Sequence, residues 1–162
     1  MKPAINATDV PTESRPDLPE PYASRLGDYQ GRSLGDHFGL RQFGARLEVL
    51  DPGCESALRH WHSHSDEFVY VLDGELALVT DAGEQALRAG TCAGFRAGDT
   101  NAHHLVNRSQ AQAQFLVVGG RDADDQVHYP DDDFQWLQDR DGNWYAARRD
   151  GTKLQAARQN SR

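Results

Sequence analysis

Glu67-Phe68-Val69-Tyr70-Val71-Leu72-Asp73-Gly74-Glu75-Leu76-Ala77-Leu78-Val79-Thr80-Asp81-Ala82-Gly83-Glu84-Gln85-Ala86-Leu87 reads as three short β-rich runs cut by two glycine turns. Asp-Gly between two such runs is a strong hairpin signal, because glycine supplies the positive φ a tight turn needs. A hairpin is therefore expected at Asp73-Gly74. The same rhythm continues outward. Ala45 to Leu50 lies upstream; Thr91 to Phe95, His103 to Val106 and Ala113 to Val118 lie downstream. Between them come Asp51-Pro52-Gly53, Ala89-Gly90 and Ala97-Gly98-Asp99. Many short strands with no helical period between them predict an all-β antiparallel sandwich or barrel. Phe68 to Leu72 is apolar on both faces. One face fills the barrel, and the other needs a second sheet, an extension or another subunit, which favours a homodimer.

The rest of the chain frames this unit. With 162 residues the expectation is one domain plus tails. Residues 1–36 hold five of the seven prolines, at 3, 11, 16, 19 and 21, and read as an extended arm. Residues 37–120 form the barrel. Residues 121–162 are an acidic loop and a C-terminal extension packed on the barrel. That loop carries Asp122, Asp124, Asp125, Asp131, Asp132 and Asp133, and reads as a solvated charge run, since the regular spacing of a calcium loop is absent. Phe134, Trp136, Leu137, Trp144 and Tyr145 form an aromatic patch around a hairpin-like turn at Asp141-Gly142-Asn143, and the Ala-rich end suits a short helix. The net charge of −8 argues against a general nucleic-acid binder, because phosphate backbones repel it. The Pro-rich start leaves no room for a helix-turn-helix. No apolar run is long enough for a membrane helix, and the first residues lack the apolar centre of a secretory signal. Cys54 and Cys92 read as reduced thiols of a cytoplasmic protein.

Seven histidines are the distinctive feature. His60 and His62 are two apart, so on a strand they project to one side. Such a pair can be an ordinary polar patch, but neutral imidazole is also the commonest metal ligand. Glu67, after a short turn, can reach the same point. Two imidazoles and a carboxylate make a facial set that holds a divalent metal with open positions. A second cluster, Gly90 to Asn107, supplies His103 at a strand start.

These two stretches resemble the two motifs of the cupin superfamily. Gly53, His60, His62, Glu67 and Gly74 fit the first, and Gly90, Gly98, His103 and Asn107 fit the second. Arg96 stands where the family has proline. Four residues separate Gly98 from His103 where two are usual, so the loop before His103 is longer. The resemblance implies a double-stranded β-helix, or jelly-roll barrel. It also implies one divalent metal ion per chain (Fe, Mn, Ni, Zn or Co) on His60, His62, Glu67 and His103. The spacing to Asn107 selects His103 over His104, which points the opposite way.

The remaining histidines are not counted among the metal ligands, and His64 is grouped with the substrate pocket. His64 is a rim residue, a substrate contact or solvated; His37 and His128 are structural or surface residues. Pocket walls are expected from Val69, Val71, Phe95, Leu105, Phe115 and Val117, with Arg46, Arg59 and Arg96 as possible carboxylate partners. The resemblance implies a metal-dependent enzyme on a small organic molecule, of dioxygenase, isomerase, decarboxylase or lyase type, with substrate on the open metal positions. The alternative is a binding module for a sugar or organic acid that performs no reaction. No catalytic residue is singled out.

Overall fold

The computed structural model describes residues 4–15, 18–138, 141 and 144–155. Its strands are β1 (Tyr29–Ser33), β2 (Phe43–Leu50), β3 (Trp61–His62), β4 (Glu67–Asp73), β5 (Glu75–Thr80), β6 (Gly83–Arg88), β7 (Cys92–Phe95), β8 (His104–Val106), β9 (Ala113–Gly120), β10 (Val127–His128), β11 (Gln135–Gln138) and β12 (Trp144–Ala147). Two short helices, α1 (Tyr22–Leu26) and α2 (Leu34–His37), flank β1. One sheet has the order β1-β2-β9-β4-β7 and a second has the order β6-β5-β8. The strand pairings within both sheets are antiparallel. Val69, Val71 and Phe115 from the first sheet share one core with Leu76, Leu78, Leu87 and Leu105 from the second. This is the expected double-stranded β-helix. No helix among the described residues is long and apolar enough to cross a membrane.

Register shows which side chains face inward. Glu48, Phe115 and Val71 form one cross-strand row, and Arg46, Val117, Val69 and Ala93 form the next. Both rows face the interior. Leu47, Leu116, Tyr70 and Cys92 lie in a row on the opposite face. Two charges thus sit on an apolar wall, and burial of a charge requires partners. Glu48 accepts from the Tyr29 hydroxyl at 2.7 Å and from Arg46 Nε at 3.3 Å. Arg46 also donates to Ser33 Oγ at 2.8 Å. Burial pushes the Glu48 carboxyl up, against the lowering pull of Tyr29 and Arg46.

Three expectations need correction. The turn at Gly74 is not a hairpin: β4 pairs with β7 and β9, whereas β5 pairs with β6 and β8. The chain crosses there from one sheet to the other, and the hairpin is the next turn, where Thr80 pairs with Gly83. Second, the Pro-rich stretch is not extended throughout. It forms α1, with Tyr22 and Leu26 buried, and β1, which pairs along β2. The line drawn at residue 36 falls inside α2. Gln30, Gly31 and Arg32 carry no apolar alternation; β1 is held by ladder bonds and by Tyr29 and Ser33 reaching Arg46 and Glu48. Third, the acidic segment leads into β10, which pairs with β3 inside the barrel motif. Beyond it, Phe134 and Ala146 pack with Tyr22, Leu26 and Leu58 in a second cluster. Gly142, Asn143 and residues 156–162, where the turn centre and short helix were expected, lie outside the described residues.

Gly74 has φ +78°, and a Cβ there would meet the Gln112 carbonyl oxygen at 2.8 Å and Ala113 Cα at 2.9 Å. Gly90 has φ +90° but open space around it. Gly74→Ala therefore carries a clash as well as a conformational cost, at about 2–4 kcal/mol, and Gly90→Ala only the conformational part, at about 1 kcal/mol. Urea denaturation of the two variants checks this order; equal losses would contradict the crossover geometry.

Candidate metal centre

His60 and His103 lie opposite each other and exchange backbone hydrogen bonds, at 3.1 Å from His60 N–H and 2.8 Å from His103 N–H. Opposed residues of an antiparallel pair project to the same side. The longer loop before His103 thus leaves its placement intact. His62 sits two residues on, on β3, and Glu67 opens β4 between Phe95 of β7 and Gly119 of β9. Three separate stretches deliver four polar side chains to one place.

Their atoms converge. His103 Nε2 is 3.2 Å from Glu67 Oε1. His62 Nε2 and His60 Nε2 are 3.7 Å and 4.0 Å from Glu67 Oε2. One ligand atom from each of His60, His62 and Glu67 lies within 4.8 Å of the others. Orientation is set from behind. The Leu58 carbonyl at 2.8 Å can only accept, so His60 Nδ1 carries the proton and Nε2 presents a lone pair. His62 Nδ1 donates in the same way to Asp125 Oδ2 at 2.6 Å. His103 is held by stacking, with its ring centroid 3.4 Å from that of Phe95 and the planes 3° apart; its buried Nδ1 has no hydrogen-bond partner among the described residues.

Protonation suits ligation. Burial, with only partial opposition from Glu67, pushes the His60 pKa down to about 4, so the ring is neutral at pH 7. Burial would push Glu67 up, but the His103 hydrogen bond and the neighbouring His60 and His62 outweigh it and hold the carboxyl below its ordinary value. An ionised carboxylate beside imidazole lone pairs is a donor set that fits a divalent ion.

Three cavities border Glu67, and two of them also take in histidines of the set. One of about 380 Å³ also borders His62 and His103, and its walls include Leu78, Thr80, Gln85, Arg96 and Asn101. The other, of about 210 Å³, borders His60 and His103 and includes Arg46, Glu48 and Val69. Of the expected wall residues, Phe95 borders the first cavity, and Val69, Leu105, Phe115 and Val117 border the second. Val71 is packed in the core, fully buried. His64 is exposed, with Nδ1 against Ser63 Oγ, and borders neither cavity. Its strand parity with His62 is lost because β3 ends at His62. His104 turns away from Glu67, with Nδ1 3.0 Å from the Ala57 carbonyl oxygen. His128 stacks on Trp61 at 4.1 Å, and His37 sits edge-on to Phe38. Of the three arginines, Arg59 points to Asp81 and Asp131, Arg46 lies inside with Glu48, and Arg96 is exposed at the larger cavity. Sequence reading missed Asp125, because its partner is distant in the chain. It also missed the polar wall of Thr80, Gln85 and Asn101.

Comparison with known proteins agrees with the fold. The model of the cupin domain matches residues 46–119. No curated protein sequence matches the chain. Among solved structures, a sugar phosphate isomerase of the cupin superfamily from Silicibacter pomeroyi is similar at 40% identity. The match covers 95% of this chain and 98% of that one, with a TM-score of 0.84. A protein named provisionally as a sugar phosphate isomerase, from Acidithiobacillus ferrooxidans, is 30% identical over 79% of this chain and 81% of its own, with a TM-score of 0.67. The polyketide cyclase RemF from Streptomyces resistomycificus shares the fold at 24% identity, covering 80% of this chain and 85% of its own, with a TM-score of 0.63. With the barrel, both motifs and a match along nearly its whole length, this chain belongs to the cupin superfamily.

Proposed function

We propose that the protein is a metal-dependent isomerase of a phosphorylated sugar. One divalent ion (Fe, Mn, Ni, Zn or Co) is held by His60, His62, Glu67 and His103, and the substrate lies in the larger cavity. The observation that carries this is the opening of the His62, Glu67 and His103 side chains onto a polar-walled cavity of about 380 Å³. The similarity to a sugar phosphate isomerase over 95% of the chain supports the substrate class.

Aldose–ketose interconversion moves one proton between adjacent carbons and another between their oxygens. A bound divalent ion supplies Lewis-acid polarisation of those oxygens. The chain's own residues bind and orient. Thr80, Gln85 and Asn101 offer hydroxyl and amide groups to sugar hydroxyls, while Leu78 and Leu87 close the apolar side against water. Arg96, at the exposed edge, takes the phosphate, for which a guanidinium fork is well matched. The outer face of the larger sheet exposes Phe68 (43%), Tyr70 (38%) and Leu72 (45%), a stripe too apolar for water alone, and a second copy of the chain covers it.

Three outcomes follow. Metal per chain, measured by mass spectrometry on untagged protein, is about one in the wild type. His62→Ala lowers metal affinity by about 100-fold, and His104→Ala leaves it unchanged. Equal, near-zero metal in wild type and His62→Ala overturns the metal reading. With a panel of pentose and hexose phosphates in D₂O, NMR detects conversion with deuterium at the carbon beside the carbonyl. Arg96→Ala raises KM by about tenfold or more with kcat little changed, as expected for a phosphate remote from the reacting carbons. Ligands that stabilise the protein but return unchanged and undeuterated would make it a binding module. Light scattering gives the mass of two chains, and Tyr70→Glu shifts it to one; a wild-type mass of one chain removes the dimer.

A further inference from the structure

Asp125 lies outside both barrel motifs, in the segment between β9 and β10, yet both its carboxylate oxygens are turned back onto the histidine turn. Oδ2 accepts from His62 Nδ1 at 2.6 Å. Oδ1 accepts from the His64 backbone N–H at 2.8 Å and from the Ser63 hydroxyl at 3.4 Å. The side chain is only 13% exposed. The adjoining backbone is fastened to the same turn. Ser63 N–H donates to the Gln126 carbonyl at 3.0 Å, and Gln126 N–H donates to Ser63 Oγ at 2.7 Å. Val127 and His128 then pair with His62 and Trp61, and the His128 ring stacks on Trp61.

We infer that Asp125 is a positioning residue for the metal centre, and that the segment around it is a strap that completes the centre from outside the barrel. This rests on the metal reading above. The contrast with His60 carries the inference. The His60 ring is oriented by the Leu58 carbonyl two residues away. His62 lies at the end of a two-residue strand, and the contact that fixes its ring comes from Asp125. A carboxylate acceptor holds the proton on Nδ1, frees the Nε2 lone pair toward Glu67 and makes the imidazole a stronger donor. Coupling is reciprocal. If a seated strap favours the ion, a bound ion favours the seated strap.

The test uses the full chain with Asp125→Ala, Asp125→Asn and Asp124→Ala. Asp124 is the control, because its neighbour's carboxylate and not its own reaches His62. In the metal-free protein at pH 7, ¹⁵N NMR of the His62 ring shows a protonated Nδ1 and a bare Nε2 in wild type and Asp124→Ala. Asp125→Ala shifts it toward the other tautomer. Competition titration with Co²⁺ shows affinity about 10–100-fold weaker in Asp125→Ala. Asp125→Asn, which keeps one acceptor where two are used, falls between, and it decides the matter if the alanine variant does not fold. Hydrogen exchange of residues 125–128 slows when Co²⁺ is added to the wild type. Wild-type tautomer and Co²⁺ affinity in the Asp125 variants, with only a lower Tm, would make the segment a structural latch and overturn the proposal. If the wild type takes up no Co²⁺, the metal reading fails, while the tautomer measurement still tests whether Asp125 orients His62.

Discussion

Two backbone hydrogen bonds between His60 and His103 bring the site together. They are short-range in space and long-range in sequence, and they oblige two imidazoles to leave the ladder on the same side. Glu67 reaches the same place because β4 runs between β7 and β9. Once the His60–His103 pair forms, the loop before His103 can vary without moving the ligand atoms. Its extra length is taken up at the cavity mouth, where Asp99 and Asn101 form part of the wall and the Asn101 amide oxygen accepts from the Asp81 N–H at 2.9 Å. A departure from family spacing is thereby turned into cavity wall.

Much of this was legible in the sequence. Alternation and glycine turns gave the strands, because those signals are local. The two-residue step from His60 to His62 and the gap to Glu67 also express local geometry. What could not be read was set by distant partners. Asp73-Gly74 has the composition of a hairpin, but whether two strands joined by a tight turn pair with each other is decided by their other neighbours, here β9 and β8. The β1 strand has no apolar alternation of its own, and it exists because β2 offers an edge and two inward charges to satisfy. Asp125 looked like one more solvated acid in a run of them; nothing in its surroundings in the chain distinguishes it from Asp122 or Asp124.

The inner face of β2 shows a second principle of the same molecule. Arg46 and Glu48 occupy alternate inward positions where an ordinary barrel strand carries aliphatic residues, and each is matched by Tyr29, Ser33 or the other. A half-satisfied buried network is worse than an apolar wall, so these partners stand or fall together. The segment before the barrel supplies Tyr29 and Ser33, and the segment after it supplies Asp125 and the β10 pairing. The similarity to the Silicibacter pomeroyi protein extends along nearly the whole chain rather than stopping at the barrel, which accords with flanks that contribute to the interior.

The strand order of the larger sheet bears on how the chain comes to be folded. β9 is its middle strand, between β2 and β4, yet it is the last of the five to be synthesised. Until Gly120 has left the ribosome, β2 and β4 have no common neighbour, and the apolar Phe68 to Leu72 run has an unpaired edge. Sheets closed by such late, non-local pairings fold slowly and expose sticky surface while they wait. The pairing that joins β2 to β4 therefore becomes possible only once β9 has been made.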